Sequence, residues 1–116
     1  MREHDKAKLP SRHVTRGPNK AAARAMLRAM GLGDDDIDKP FVGVATCWNE
    51  AAPCNIGLAE QAKAVKEGVQ AGGGTAREFT TITVTDGIAM GHEGMRNSLP
   101  SRDWIADTVE LTMRGH

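Results

Sequence analysis

An acidic residue beside a glycine ends a strand-like run and is the first feature that suggests chemistry. Residues 81–85 alternate β-branched side chains, the pattern of a strand, and Asp86 and Gly87 follow directly. A carboxylate at the end of a strand, with glycine letting the backbone come close, is how α/β proteins build ligand and metal sites. An ordinary Asp-Gly turn is the alternative, and spacing alone does not separate the two.

The second candidate is a cysteine just before a predicted helix. Cys54 lies between Pro53 and Asn55, and the amides at the start of a helix favour a thiolate. A thiolate is the ligand that an iron–sulfur cluster requires. Two other roles stay open at this point, a free cysteine packed beneath a loop and a disulfide between Cys47 and Cys54.

Helix and strand signals alternate along the chain that must position these residues. Asn19 is expected to cap the first helix and Gly31 and Gly33 to end it, while Ser101 is expected to cap the last, with Asp103 in its first turn. Three glycines at 72–74 end the second helix. The predicted helices are 21–30, about 55–71 and one from 101 onward, and the predicted strands are 41–46 and 78–85.

The order strand, helix, strand, helix predicts an α/β fold with a right-handed βαβ unit and a parallel sheet. The short, continuously apolar run at 41–46 is typical of such a sheet when both faces are covered. Ligands bind at the carboxyl ends of parallel strands. The loop at 47–55 should therefore lie beside the loop at 86–100, and we predict one site made from the two loops.

Composition limits the classes of protein that this chain can join. It has 116 residues, enough for one small domain, with 15 basic and 15 acidic side chains. This balance gives no indication of a nucleic-acid or membrane partner. No apolar run is long enough to span a bilayer, and two cysteines are too few for a secreted disulfide framework. We therefore predict a cytoplasmic protein.

Two charged segments have plain interpretations. Residues 1–18 are polar and lack periodicity, which predicts an N-terminal arm that is mobile or laid across a partner, ahead of an α/β portion at 19–116. A transit peptide fits less well because Glu3 and Asp5 are present. The aspartates at 34–38 lack the glycine and distal glutamate of a calcium loop, so a solvated turn is expected.

A longer string of residues resembles a known family. The run from Thr81 to Met95, continuing through Ser98-Leu99-Pro100-Ser101-Arg102 and Ile105-Ala106-Asp107, is similar to the dihydroxy-acid, phosphogluconate and sugar-acid dehydratases. The resemblance extends from about Ser11 to the last residue and favours the dihydroxy-acid branch. Members are several times longer and this chain ends within a helical pattern, so we interpret it as the N-terminal portion of a larger Rossmann-like domain.

The resemblance implies two cofactors and one ligand for each. Trp48-Asn49-Glu50 followed by Pro53-Cys54-Asn55 is similar to the segment whose cysteine binds an iron–sulfur cluster, and the presence of Cys54 favours the [2Fe–2S] type. Asp86 matches the family's first Mg²⁺ ligand, in keeping with the preference of Mg²⁺ for one or two carboxylates plus water and substrate. Cys47 matches no ligand, and we interpret it as a packing residue.

Several polar residues near Asp86 receive weaker assignments. His92 and Glu93 suggest a base or extra ligands, but neither matches a catalytic position, and His92 is better explained as hydrogen-bonded support. Ser98 and Arg102 are expected to contact the substrate or a partner subunit, and Asp107 is expected to be structural. The resemblance places the catalytic base, a serine, and the remaining ligands later in the family's sequence, so no catalytic residue is assigned here.

The reaction that the resemblance implies is dehydration of a 2,3-dihydroxy acid to a 2-keto acid, in the biosynthesis of valine, isoleucine and leucine. The C2 proton and the C3 hydroxyl must both leave, and hydroxide needs a Lewis acid to depart. The expected partners are the small dihydroxy acid and a second subunit in a homodimer. A sugar-acid or phosphogluconate dehydratase and a non-catalytic α/β domain remain the alternatives. Without the later ligands, this chain is expected to be inactive alone.

Overall fold

The computed structural model describes residues 5–116 and confirms the α/β prediction. Two strands alternate with helices in the predicted order, and three further turns of 3₁₀ helix join them. In chain order the elements are α1 Arg12–Thr15, α2 Ala21–Ala29, α3 Asp34–Asp38, β1 Phe41–Thr46, α4 Pro53–Ile56, α5 Leu58–Ala71, β2 Thr75–Thr80, α6 Asp86–Ala89 and α7 Ser98–Gly115, with 3₁₀ turns at Lys6–Lys8, Pro18–Lys20 and Glu93–Asn97. Among these residues, no helix is long and apolar enough to cross a membrane.

The two strands form a parallel pair, as predicted. The register runs without interruption from Phe41 opposite Thr75 to Thr46 opposite Thr80. Both carboxyl ends therefore lie at the same edge of the sheet. This edge carries the loop that begins at Cys47 and the extended segment that leads to Asp86.

The position of β2 differs from the prediction of 78–85. The strand begins earlier because the Thr75 amide donates to the Pro40 carbonyl at 2.8 Å, which starts the ladder. Polar residues follow in the strand, so the sequence pattern does not show this start. It ends earlier because β1 stops at Thr46. The Thr81 amide makes one last bond, 2.7 Å, to the Thr46 carbonyl, and residues 81–85 then continue as extended chain that pairs with no strand formed by residues 5–116.

One helix lies against each face of the sheet. A side chain added at Gly74 would meet Val42 of β1 and Val69 of α5, each at 3.1 Å, so α5 packs on the face that carries Val42 and Val44. On the other face, the thioether of Met113 from α7 occupies the space where a side chain at Gly43 would lie. Gly43 is thus needed for the close approach of the last helix to β1.

Helix ends agree with the glycine signals and disagree with both predicted caps. Gly31 has a φ of 90°, and its amide donates to the Arg28 carbonyl at 2.9 Å, which closes α2 in a left-handed turn. Asn19 lies inside a 3₁₀ turn and does not cap α2. Ser101 lies within α7, which starts at Ser98 because Pro100 is tolerated in a first turn, where its missing amide costs no hydrogen bond.

Two other segments differ from the sequence prediction. The aspartates at 34–38 form α3, in which Asp36 accepts from the Gly33 amide at 2.9 Å and the apolar Ile37 is buried. The buried isoleucine and the Thr75 hydroxyl, which donates to the Asp36 carbonyl at 2.6 Å, join this acidic turn to the rest of the chain. The predicted helix at 55–71 is divided into α4 and α5 at Gly57.

The described part of the predicted arm, residues 5–18, lies against its own chain, while residues 1–4 lie outside the described residues. Lys6 is buried, donates to the Lys39 carbonyl at 2.8 Å and lies 3.9 Å from the centre of the Phe41 ring. The pKa of Lys6 is lowered to about 8, chiefly by burial and also by the charge of Arg16, while the charge of Asp38 opposes the shift. Arg16 also pairs with Asp38 at 3.0 Å. These contacts join the arm to the start of β1.

The apolar core is small for a chain of this length. The buried apolar residues are Ile37, Val44, Ala52, Ala62 and Ala89, and no large side chain is fully buried within residues 5–116. The radius of gyration is 17.3 Å, against roughly 13 Å expected for a compact domain of 116 residues. Trp104 and Leu111 of α7 are mostly exposed, at 67% and 70%.

We therefore predict that the 116-residue chain by itself has low stability. Little apolar surface is buried, and a two-stranded parallel sheet leaves strand edges unpaired. Thermal melting followed by circular dichroism should show a broad transition, and a hydrophobic dye should bind before heating. A sharp, cooperative transition from a monomer would contradict this prediction.

Candidate metal and substrate site

The loop after β1 is ordered by asparagine side chains. Asn49 accepts from the amides of Ala51 and Ala52, at 2.9 and 3.2 Å, and donates to the Cys47 carbonyl at 3.0 Å. Ala52 is 2% exposed, so the turn is anchored in the core. This local network fixes the chain that enters α4 and carries Cys54.

Asn55 joins the two loops at the sheet edge. Its side chain is buried, and its amide nitrogen lies 2.6 Å from the Cys47 carbonyl, 3.2 Å from the Cys47 sulfur and 3.2 Å from the Thr83 hydroxyl. Thr83 is part of the extended segment that leads to Asp86. The segment beside Cys54 is therefore tied to the segment that leads to Asp86, which agrees with the predicted proximity of the two loops.

Cys54 presents a free thiol at the surface of α4. It is exposed, and Cys47 is also free but partly covered, so the disulfide considered from the sequence is not formed. The Cys47 sulfur instead lies 3.2 Å from the side-chain amide nitrogen of Asn55, in agreement with a packing role. An exposed thiol on an ordered turn can act as one ligand of a cluster.

Asp86 begins α6 and lines a cavity of about 440 Å³. One wall is formed by residues 83–87, and the other by Ser98, Ser101, Arg102 and Ile105 of α7. The Ser98 hydroxyl donates to Asp86 Oδ1 at 2.9 Å. The sequence suggested a substrate or subunit contact for Ser98, whereas in the structure its hydroxyl is hydrogen-bonded to Asp86, the candidate metal ligand.

His92 supports the turn that connects α6 to α7. Its Nδ1 accepts from the Gly94 amide at 2.9 Å, and its Nε2 lies 3.2 Å from the Ile88 carbonyl. A neutral ring with its proton on Nε2 satisfies both contacts. These contacts agree with the supporting role expected for His92, and Glu93 pairs with Arg96 at the surface at 3.0 Å.

Arg102 and Asp107 lie on α7. Arg102 is exposed in the same cavity as Asp86 and forms no ion pair with any residue from 5 to 116, which leaves its guanidinium available to an anionic ligand. Asp107 is also exposed on α7, and the cavity does not include it.

The donor set fits part of each predicted metal site. Asp86 supplies a hard carboxylate in an open cavity, which suits an ion that takes one or two carboxylates and completes its shell with water or substrate. Cys54 offers one exposed thiol to the predicted cluster, which needs several sulfur ligands. Residues 5–116 contain no group of three or more histidine, cysteine or acidic side chains that could hold a metal ion.

Comparison with known proteins decides the family. The family model described as dihydroxy-acid/6-phosphogluconate dehydratase N-terminal matches residues 39–116. The chain belongs to this family. It is 70% identical over 115 residues to the dihydroxy-acid dehydratase of Dinoroseobacter shibae and 70% identical over 112 residues to that of Parvibaculum lavamentivorans. It is 62% identical over its whole length to that of Pelagibacter ubique.

The match covers nearly all of this chain but a small part of each relative. The alignments include 99%, 97% and 100% of the chain and 20%, 19% and 20% of the three relatives. The chain thus spans about a fifth of the length of these curated dehydratases. Stability, metal binding and activity are therefore best measured on a chimeric enzyme, in which this chain replaces the matching residues of the Dinoroseobacter shibae protein.

We predict that Asn55 is the residue on which the proximity of the two loops depends. Replacing Asn55 with Ala in the chimera leaves the Cys47 carbonyl without its shortest hydrogen bond and should cost about 1–3 kcal/mol of unfolding free energy. Asn97→Ala is a matched control, because Asn97 is exposed and donates only to the Gly94 carbonyl at 3.2 Å. Its cost should stay within about 0.5 kcal/mol in urea unfolding. Equal costs for the two variants would contradict the assignment.

Proposed function

We propose that this sequence forms the first part of a dihydroxy-acid dehydratase, which converts 2,3-dihydroxy acids such as 2,3-dihydroxyisovalerate to 2-keto acids in branched-chain amino-acid biosynthesis. The observation that carries the proposal is the high identity across the whole chain to proteins with that name. The cavity that joins a carboxylate, hydroxyl groups and a guanidinium supports it.

In this proposal Asp86 contributes a carboxylate oxygen to Mg²⁺ and Cys54 contributes a thiolate to a [2Fe–2S] cluster. These bound groups would supply the Lewis acidity that the departure of hydroxide and the loss of the C2 proton require. The exposed guanidinium of Arg102 lies in the same cavity as Asp86, so it can attract the carboxylate of the acid. The chain's own residues therefore bind and orient the substrate.

No residue of this chain is assigned as the proton acceptor. His92 is engaged at both ring nitrogens, and Glu93 is paired with Arg96. The base is therefore proposed to come from another part of the whole enzyme. We also propose that the enzyme is a cytoplasmic homodimer; the free thiols of Cys47 and Cys54 suit a reducing compartment, and the exposed apolar side chains of α7 suit a subunit or domain contact.

The proposed activity can be tested with the chimeric enzyme. After anaerobic reconstitution with iron, sulfide and Mg²⁺, it should dehydrate 2,3-dihydroxyisovalerate and form the 2-keto acid. The family model also includes 6-phosphogluconate dehydratases, so 6-phosphogluconate is the comparison substrate. A clear preference for 6-phosphogluconate would assign the chain to the other branch, and no turnover of either acid would refute the proposal.

We predict that the two loops serve different metals. Cys54→Ser should reduce cluster loading in the chimera, because a hydroxyl is a harder and less acidic ligand than a thiol, while Mg²⁺ binding stays nearly unchanged. Asp86→Asn keeps the shape but removes the charge that holds Mg²⁺, so the visible absorption of the cluster should persist while activity collapses.

Cys47→Ser is the matched control for Cys54→Ser, since Cys47 is covered by the Asn55 amide and is proposed to be a packing residue. Its cluster absorption should equal that of the unmodified chimera. If Asp86→Asn bleached the cluster and left the Mg²⁺ requirement intact, the assignment of the two loops would be wrong.

A further inference from the structure

The carboxylate of Asp86 is held by one side chain. Within residues 5–116, the Ser98 hydroxyl is the only side-chain donor to it, at 2.9 Å from Oδ1. Asp86 itself lies at the start of the four-residue α6, is exposed and is followed by Gly87. A carboxylate in such a place has several rotamers unless a partner selects one. The Ser98 hydroxyl, on α7, selects one rotamer of Asp86.

Ser98 is itself fixed by the helix to which it belongs. It is the first residue of the 18-residue α7, and its carbonyl accepts from the Ser101 hydroxyl at 2.6 Å. Ser101 is 7% exposed and anchors this turn in the interior. The Asp86–Ser98 hydrogen bond therefore ties a short, exposed turn to a long helix whose first turn is anchored.

The chemistry of the donor suits a metal ligand. A lysine or arginine at this position would neutralise the carboxylate and compete with a cation, whereas a neutral hydroxyl orients the carboxylate and leaves its charge in place. One oxygen, Oδ1, is engaged, and Oδ2 remains for a cation that enters the cavity. Hydrogen-bond partners of this kind orient metal-binding carboxylates.

We propose that Ser98 is a positioning residue for Asp86, whose hydroxyl holds Oδ1 so that Oδ2 binds the divalent cation. This inference rests on the proposed function, because it takes Asp86 as the Mg²⁺ ligand. It goes further in giving α7 a direct part in the metal site. The expected effect of losing the bond is on metal affinity, with little effect on folding.

The test measures Mn²⁺ binding to the chimeric enzyme by electron paramagnetic resonance, with Mg²⁺ as competitor. Ser98→Ala should raise the Kd for Mn²⁺ roughly 10- to 100-fold. Ser98→Thr and Ser98→Val have nearly the same shape and differ in the hydroxyl, so Thr should keep the affinity and Val should lose it. This pair carries the test if Ser98→Ala fails to fold.

Thr108→Ala is the matched control on the same helix. Thr108 donates to the Ile105 carbonyl at 3.0 Å and does not line the cavity, so its removal should leave Mn²⁺ binding unchanged. Melting temperatures of all variants should be close to that of the unmodified chimera. A role confined to helix structure would lower the melting temperature and leave the Mn²⁺ affinity unchanged.

Three outcomes separate this inference from the proposed function. Unchanged Mn²⁺ affinity in Ser98→Ala and Ser98→Val, together with a loss in Asp86→Asn, would overturn the role of Ser98 and leave the metal site standing. Equal losses in the Thr and Val variants would show that shape and not the hydroxyl matters, which also overturns it. Unchanged binding in Asp86→Asn would refute the metal site and the role of Ser98 together.

Discussion

One buried amide determines how the rest of the site is arranged. The Asn55 side chain contacts both the end of β1, through Cys47, and the segment after β2, through Thr83. Each of these segments has left the sheet, and no strand within residues 5–116 pairs with it. In a parallel pair the carboxyl ends of both strands lie at one edge of the sheet. Beyond the last backbone hydrogen bond between the strands, the Asn55 side chain keeps the two loops together. Burial makes the bridge costly to lose, since the Cys47 carbonyl would lose its shorter hydrogen bond and keep only the one from Asn49.

The features predicted from the sequence are those set by local pattern. The apolar run at Phe41–Thr46 and the glycines at 31 and 72–74 fixed β1 and the ends of α2 and α5 as predicted. The start of β2 could not be read because Arg77 and Glu78 interrupt its apolar pattern. Its true limits depend on β1, since pairing runs only from Phe41 to Thr46. The end of β2 is therefore set by the end of β1.

The candidate site divides in the same way. Cys54 and Asp86 could be chosen from sequence because a thiol before a helix and a carboxylate after a strand have recognisable settings. The contacts of Asn55 and Ser98 could not be chosen, because they depend on a bond to Thr83 across 28 residues and a bond to Asp86 across 12 residues. Neither separation follows from the repeat of a helix or a strand. The arm illustrates the same limit, since the burial of Lys6 depends on Lys39 and Phe41.

The proposed separation of the two ligand types on two loops would have a physical consequence. A soft thiolate and a hard carboxylate prefer different metals, so neither loop needs a mixed donor set. A single small substrate could contact both proposed metals only if the loops stay at a fixed separation. Asn55 sets the approach of the loops at Thr83, and Ser98 sets the orientation of Asp86 three residues later. Position and orientation are thus controlled by different side chains, on α4 and α7, and their partners Thr83 and Asp86 both line the cavity.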